Sequence, residues 1–240
     1  MLVICNGMPR SGSTLQYNLA AEALEAQGPT IRVGFLDQLR NRKTLRRIEA
    51  MRDSDMVYIM KTHDALLEPE FYTDRVKLLF THRDRRDVAA SLRKKTNKNI
   101  EEILRDLCHA EALHVQVAAV EGALIQPYKL LYEEMHNCLA QIIVHLSIHL
   151  TEEDRERILA RNSLESMIGR IVTHNRKPIV AVFGMFLKRL RINSFTQLHP
   201  DHISETKGLD GDWINQFDEN ELFLLNPYVK CPSSNEQITR

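Results

Sequence analysis

Cysteine is scarce in this sequence and never closely paired. Cys5, Cys108, Cys138 and Cys231 are the only four, with no Cys-x-x-Cys among them. Such spacing argues against a disulfide frame and for reduced core or surface thiols. Charge of either sign is not in excess, since Lys plus Arg and Asp plus Glu stand at 32 each. No whole-chain field therefore draws the protein to nucleic acid or to a membrane, and any anion site must be built from locally placed cations. Long apolar runs are missing as well, so no segment reaches the length of a membrane span. The first apolar run already begins at Leu2, which leaves no space for a secretion leader ahead of it. A cytoplasmic protein is the expectation.

What is present suits one sizeable domain. The 240 residues are 43% hydrophobic and 27% charged, enough for a buried core. Strand-like and helical runs alternate, the pattern of an α/β fold with a central parallel sheet flanked by crossover helices. Strands are expected at residues 2–6, 31–36, 56–60, 76–81 and 128–132. Helices are expected at about 14–27, 84–95, 99–121 and 133–149, with a very basic one ending at Arg52 and another capped by Thr151. Beyond residue 160 the pattern weakens, apart from an apolar and basic segment at 179–192 and a final helix near 213–225. No repeat and no linker divides the chain. A single domain is expected over 1–231, with a polar, disordered tail at 232–240.

The most informative stretch is Gly7-Met8-Pro9-Arg10-Ser11-Gly12-Ser13-Thr14, between an apolar strand and a helical pattern. A strand, a glycine-bounded loop and a helix amino end together cradle tetrahedral anions on backbone N–H groups. The spacing matches the nucleotide-triphosphate loop, but Ser13 stands where that loop has lysine, and the cation has moved inside as Arg10. The loop is thus expected to hold an anion other than the γ-phosphate of ATP.

Further cations fall at strand ends, where an open α/β sheet places its ligand. The third strand runs into Lys61-Thr62-His63-Asp64, and two residues' separation in extended chain puts Lys61 and His63 on one face. The fourth strand ends at Thr81-His82-Arg83, with Ser91 about two turns into the next helix. Arg83 and Ser91 can grip a phosphate from two sides. Plainer roles stay open: Lys61 and His63 as solvated polar groups, Arg83 as partner of Asp84 or Asp87, and Trp213 as an anchor for the last helix. His145 and His149 share a helix face at metal-pair spacing, without further ligands. The basic run 40–52 reads as a solvated helix face.

Taken in order, these segments resemble the sulfotransferases that use 3′-phosphoadenosine 5′-phosphosulfate (PAPS), over residues 2–217. Pro9 to Leu15 is similar to that family's 5′-phosphosulfate loop, and Lys61-Thr62-His63 to its Lys-Thr-His stretch. Thr81 to Ser91 resembles the 3′-phosphate motif, Tyr132-Glu133-Glu134-Met135 the Tyr-Glu-Asp-Met segment near the adenosine, and Asn162 to Met167, more weakly, the segment near the adenine. Lys207-Gly208 with Gly211-Asp212-Trp213 resembles the Arg-Lys-Gly-x-x-Gly-Asp-Trp signature, with Thr206 in place of its arginine. Leu164 stands in place of a phenylalanine, and the family's Lys-Thr-Val-Glu dimerisation pattern is absent after Trp213.

The resemblance implies a P-loop-like sulfotransferase fold and transfer of a sulfuryl group from PAPS to an acceptor hydroxyl, leaving 3′,5′-adenosine bisphosphate (PAP), with no metal. It implies that Arg10, Ser11, Gly12, Ser13 and Thr14 hold the 5′-phosphosulfate, and that Arg83, Ser91, Lys207 and Gly208 hold the 3′-phosphate, with Tyr132 near the adenosine. Lys61 and Arg10 would stabilise the departing charge, and His63 would be the general base, with activity rising through about pH 6–7. The acceptor is expected to be a small molecule or glycan rather than a protein, and the oligomeric state is open. Segment 179–192 reads as an acceptor lid or a packed helix. Two other readings stay open: a P-loop kinase or NTPase, and a non-catalytic nucleotide-binding protein.

Overall fold

The computed structural model describes residues 1–64, 67–96, 98–175, 195–198, 211, 213, 214 and 216–226. Within them, five strands form one parallel sheet in the order β2-β3-β1-β4-β5. The strands are β1 (Leu2–Gly7), β2 (Thr30–Phe35), β3 (Val57–Lys61), β4 (Val76–His82) and β5 (Leu124–Pro127). β1 lies at the centre with every residue buried. A strand covered on both faces reads as an unbroken apolar run, which is what Leu2-Val3-Ile4-Cys5 is. Its side chains divide between two cores: Val3 and Cys5 on one face, Leu2 and Ile4 on the other.

Nine helices are described: α1 (Ser13–Gln27), α2 (Arg42–Asp53), α3 (Arg85–Thr96), α4 (Ile100–Ala118), α5 (Tyr128–Glu133), α6 (Met135–Leu146), α7 (Glu152–Asn162), α8 (Leu164–Asn175) and α9 (Glu219–Leu224). α1, α6 and α7 contribute to the core with Val3 and Cys5, while α2 and α4 cover the other face. A third cluster joins α3 and α4 to Trp213, Phe217, Leu222 and Leu225. Thr151 caps α7 by accepting from Asp154 N–H, as its sequence position suggested.

Four expectations need correction. The strand expected at 128–132 lies earlier, at Leu124–Pro127, and Tyr128–Glu133 is helical. Pro127, paired with His82 at the end of the ladder, has φ fixed near −70° and begins α5 instead of extending the strand. The last helix starts at Glu219 rather than 213, because Asp218 and Glu221 form its capping box. α8 was not expected; Ile171 is buried, whereas Ile168 and Val172 are exposed, so its apolar stripe is too narrow to stand out. Cys5 and Cys138 are buried free thiols, but Cys108 is disulfide-bonded, so the expectation of reduced thiols fails there. Segment 179–192 and the tail 232–240 lie outside the described residues. No helix among the described residues is long and apolar enough to cross a membrane.

The chain leaves β1 toward β2, returns through β3, and crosses to β4 on the other side of β1. The connection therefore changes direction around β1. The carboxyl ends of β1, β3 and β4 form the crevice where such sheets bind ligands.

Candidate active site

The loop from Gly7 to Gly12 is held open from below. Ser11 Oγ donates to a carbonyl oxygen and packs against the fourth strand, lying 2.6 Å from Met8 O, 3.0 Å from Thr81 O and 2.7 Å from Thr81 Oγ1. Asn6 Oδ1 accepts from Gly7 N–H at 2.7 Å, and its Nδ2 donates to the Asp64 carbonyl at 3.0 Å. Gly7 must lack a side chain, because a Cβ there would run into Thr81 Oγ1. Arg10 and Gly12 have φ of 61° and 85°, in the left-handed region. That curl aims successive N–H groups inward. Gly12 offers no side-chain cap to α1, so the amino end of this 15-residue helix presents its first N–H groups and the positive end of its dipole to the crevice.

β3 delivers the next two groups. Lys61 is buried, with Nζ 2.7 Å from Thr14 Oγ1. Burial, then the charge of Arg10, pushes its ammonium pKa down to about 8. His63 Nδ1 lies 2.8 Å from the Gly7 carbonyl oxygen. A carbonyl only accepts, so Nδ1 carries the proton and Nε2 keeps its lone pair. Burial first, and Lys61 second, push His63 down to about 3, against the opposing effect of the Gly7 hydrogen bond. The imidazole is therefore neutral across the physiological range, and the activity rise expected at pH 6–7 does not come from its titration in the ligand-free protein. Its ring sits 5.8 Å from that of Phe35, at the end of β2.

β4 and α3 supply the other cation. Arg83 lies over the Tyr128 ring, Cζ 4.1 Å from the centroid. It does not make the pairing with Asp84 that the sequence allowed, because Asp84 is bidentate to Arg86. Ser91 Oγ accepts from Arg10 Nε at 2.9 Å. The loop cation and the α3 hydroxyl thus belong to one site. Asp87 is structural: its carboxylate accepts from Gly211 N–H at 3.1 and 3.4 Å. Arg86 stacks on Trp213 at 4.1 Å, so Trp213 docks its segment on α3 ahead of α9.

Arg10, Ser11, Gly12, Ser13, Thr14, Lys61, His63, Arg83 and Ser91 gather at one end of the sheet. Tyr132 is one turn into α5 with its ring 5.7 Å from Tyr128, and burial raises its phenol. Lys207 and Gly208 lie outside the described residues. Tyr128 was missed from the sequence. It stands between the amino end of α1 and Arg83, since a Cβ on Gly12 would meet its ring at 3.1 Å while Arg83 covers the same ring. Pro127 was the available signal, marking the strand end directly before it. Among the described residues no group of three or more His, Cys, Asp or Glu is arranged to hold a metal ion.

No protein-family profile matches the chain, and no curated protein matches it by sequence. Solved structures do match. Retinol dehydratase with androsterone and the inactive cofactor PAP aligns at a TM-score of 0.58 and 16% identity, over 93% of this chain and 78% of that one. The mouse sulfotransferase SULT7A1 with PAP aligns at 0.56 and 16%, over 92% and 80%. Retinol dehydratase with retinol and PAP aligns at 0.55 and 16%, over 93% and 78%. At this identity the likeness is one of fold: the chain has the sulfotransferase fold.

Proposed function

We propose that this chain transfers a sulfuryl group from PAPS to an acceptor hydroxyl. The observation that carries the proposal is the pairing at the bare amino end of α1: a buried ammonium 2.7 Å from Thr14 Oγ1 and an imidazole held by the Gly7 carbonyl. The residues fit a donor with an anion at each end. The uncapped helix and Arg10 suit the 5′ group, Arg83 and Ser91 suit the 3′-phosphate, and the Tyr128 ring, covered by Arg83, braces that cation between them. Lys207 and Gly208 are proposed to add to the 3′ grip, and Tyr132 to back Tyr128.

Bound PAPS supplies the sulfuryl group and departs as PAP. The protein's part is positioning and charge. Backbone N–H groups of residues 12–14 fix the 5′ end, and Lys61 and Arg10 face the oxygen on which negative charge grows. His63 Nε2, bare and neutral, takes the proton of the acceptor hydroxyl, while Nδ1–H keeps its hydrogen bond to Gly7 and orients the ring. Phe35 beside His63 borders the acceptor side.

Calorimetric titration tests the proposal. PAP is expected to bind without Mg²⁺ and more tightly than 5′-AMP, followed by label transfer from PAPS to a panel of hydroxyl acceptors. Binding that requires MgATP would indicate a kinase or NTPase, and PAP binding with no transfer to any acceptor would indicate a non-catalytic nucleotide-binding protein.

A further inference from the structure

Building on that transfer reading, we infer that the acceptor is an acidic polysaccharide, docked along the solvent face of α2 with one sugar against Phe35. Residues 40–52 hold six cations and a single carboxylate, Glu49, in a chain whose total charge is zero. Arg42, Lys43, Arg46 and Arg47 are all exposed. Arg42, Lys43 and Arg46 lie away from Ile48 and Met51, which are buried, and Arg47 flanks them one turn before Met51. None of the four has an ion-pair partner among the described residues; nearby Arg52 takes Asp53, and Arg40 lies 3.8 Å from Glu68. Arg42 and Lys43 begin the helix, and its first turn has no acidic residue. Two cations at the positive end of a helix dipole are locally unfavourable. A bound polyanion would relieve both that and the mutual repulsion.

The face is joined to the transfer site. Leu36 N–H donates to Lys61 O, and Leu39 N–H to Asp64 Oδ2 at 2.7 Å. The loop leading into α2 is therefore tied directly to the strand end carrying Lys61 and His63. In a parallel β-α-β unit the helix starts at the carboxyl end of the strands and runs away from it. The row from Arg42 to Arg47 thus leads out of the crevice over about 7.5 Å at the helical rise. At its head Phe35 is 44% exposed with its ring 5.8 Å from His63. An exposed aromatic ring beside a base, continued by a line of cations, suits a chain of sugars that carry hydroxyls and carboxylates together. An extended peptide bound by strand addition needs a sheet edge. β2, the edge strand nearest α2, has a register that breaks between Arg32 and Gly34, and Arg32 is bound to Glu25. That bulge spoils the edge for strand addition.

The test is transfer from labelled PAPS to four acceptors: an unsulfated chondroitin octasaccharide, a neutral chitin-type oligosaccharide, a tyrosine-containing acidic peptide and 4-nitrophenol. The octasaccharide is expected to exceed the neutral sugar at least about tenfold in kcat/KM. Its advantage should shrink as salt rises from about 50 to about 300 mM. The variant R42Q/K43Q/R46Q/R47Q is expected to raise KM for the octasaccharide about 10- to 50-fold. It should leave 4-nitrophenol turnover and PAP affinity unchanged. Equal use of the neutral sugar, preference for the peptide, or an unaltered octasaccharide KM in the variant would overturn the inference while leaving sulfuryl transfer standing. Failure of the wild-type protein to bind PAP would remove both.

Discussion

Arg10 Nε donates a 2.9 Å hydrogen bond to Ser91 Oγ, 81 residues away in sequence. The bond ties the loop after β1 to α3, so Arg10 and Ser91 form a single unit. Ser91→Ala removes an acceptor for Arg10 and, in the function proposed above, a donor for the 3′-phosphate. Its affinity for PAP should fall about 10- to 150-fold, the range for a hydrogen bond to a charged group. Affinity for 5′-AMP, which lacks the 3′-phosphate, should change far less. Calorimetry with both nucleotides decides the point, and equal losses would place Ser91 outside the 3′ grip.

His63→Ala should lower kcat by about 10²–10⁴-fold and leave PAP affinity nearly intact. A variant with normal turnover would remove His63 from the base role.

The ionisation of His63 can be followed separately. Burial and Lys61 hold its pKa near 3, so the neutral form predominates at every pH well above that value. In the donor-free protein its imidazole NMR signals should therefore stay constant between about pH 5 and 8, where a free histidine titrates. A midpoint close to 6.5 would contradict the buried environment described here.

Lys61 gives the opposite sign. Its pKa of about 8 means that part of the population is uncharged just above neutrality. A bound anion favours the charged form, so PAP binding near pH 8–9 should take up a proton, and affinity should weaken as pH rises through that range. Titrations in buffers of different ionisation enthalpy measure the uptake directly. Lys61→Met should abolish it, and uptake that persists in that variant would assign the proton elsewhere.

Gly7→Ala should destabilise the fold by about 1–3 kcal/mol, the usual cost of overpacking. The added methyl meets Thr81 Oγ1, which cannot swing aside because it is engaged with Ser11 Oγ at 2.7 Å. Removing that oxygen opens space, so the double variant G7A/T81A should lose less than the sum of the two single changes. Thermal or denaturant unfolding of the four proteins measures the coupling, and strict additivity would show that the contact is not the cause.

Much of the fold was legible because its signals are local. The unbroken apolar run of β1 marks a strand buried on both faces, and Thr151 with the acidic residues after it marks the start of α7. β5 was placed too late because Tyr128 to Tyr132 is a short run rich in aromatic and aliphatic residues, while the influence of Pro127 acts through backbone geometry. Periodicity does not register the fixed φ of one residue. α8 was hidden for a different reason: a helix needs a broad apolar stripe to be visible, and this one buries little.

From the sequence alone come the strand–loop–helix of the kind that cradles anions, the displacement of its cation from position 13 to Arg10, and the Lys61–His63 pair on one face. Each depends on neighbours within a few residues, so spacing suffices. Only the tertiary structure decided that Lys61 reaches Thr14 across 47 residues, that His63 points its proton at Gly7 across 56, and that Tyr128 rather than empty space lies beside Gly12. Those pairings follow from which strands lie side by side. An apolar pattern says that a strand is buried but not which neighbour it pairs with, so the strand order that brings these groups together emerges only in the packed sheet.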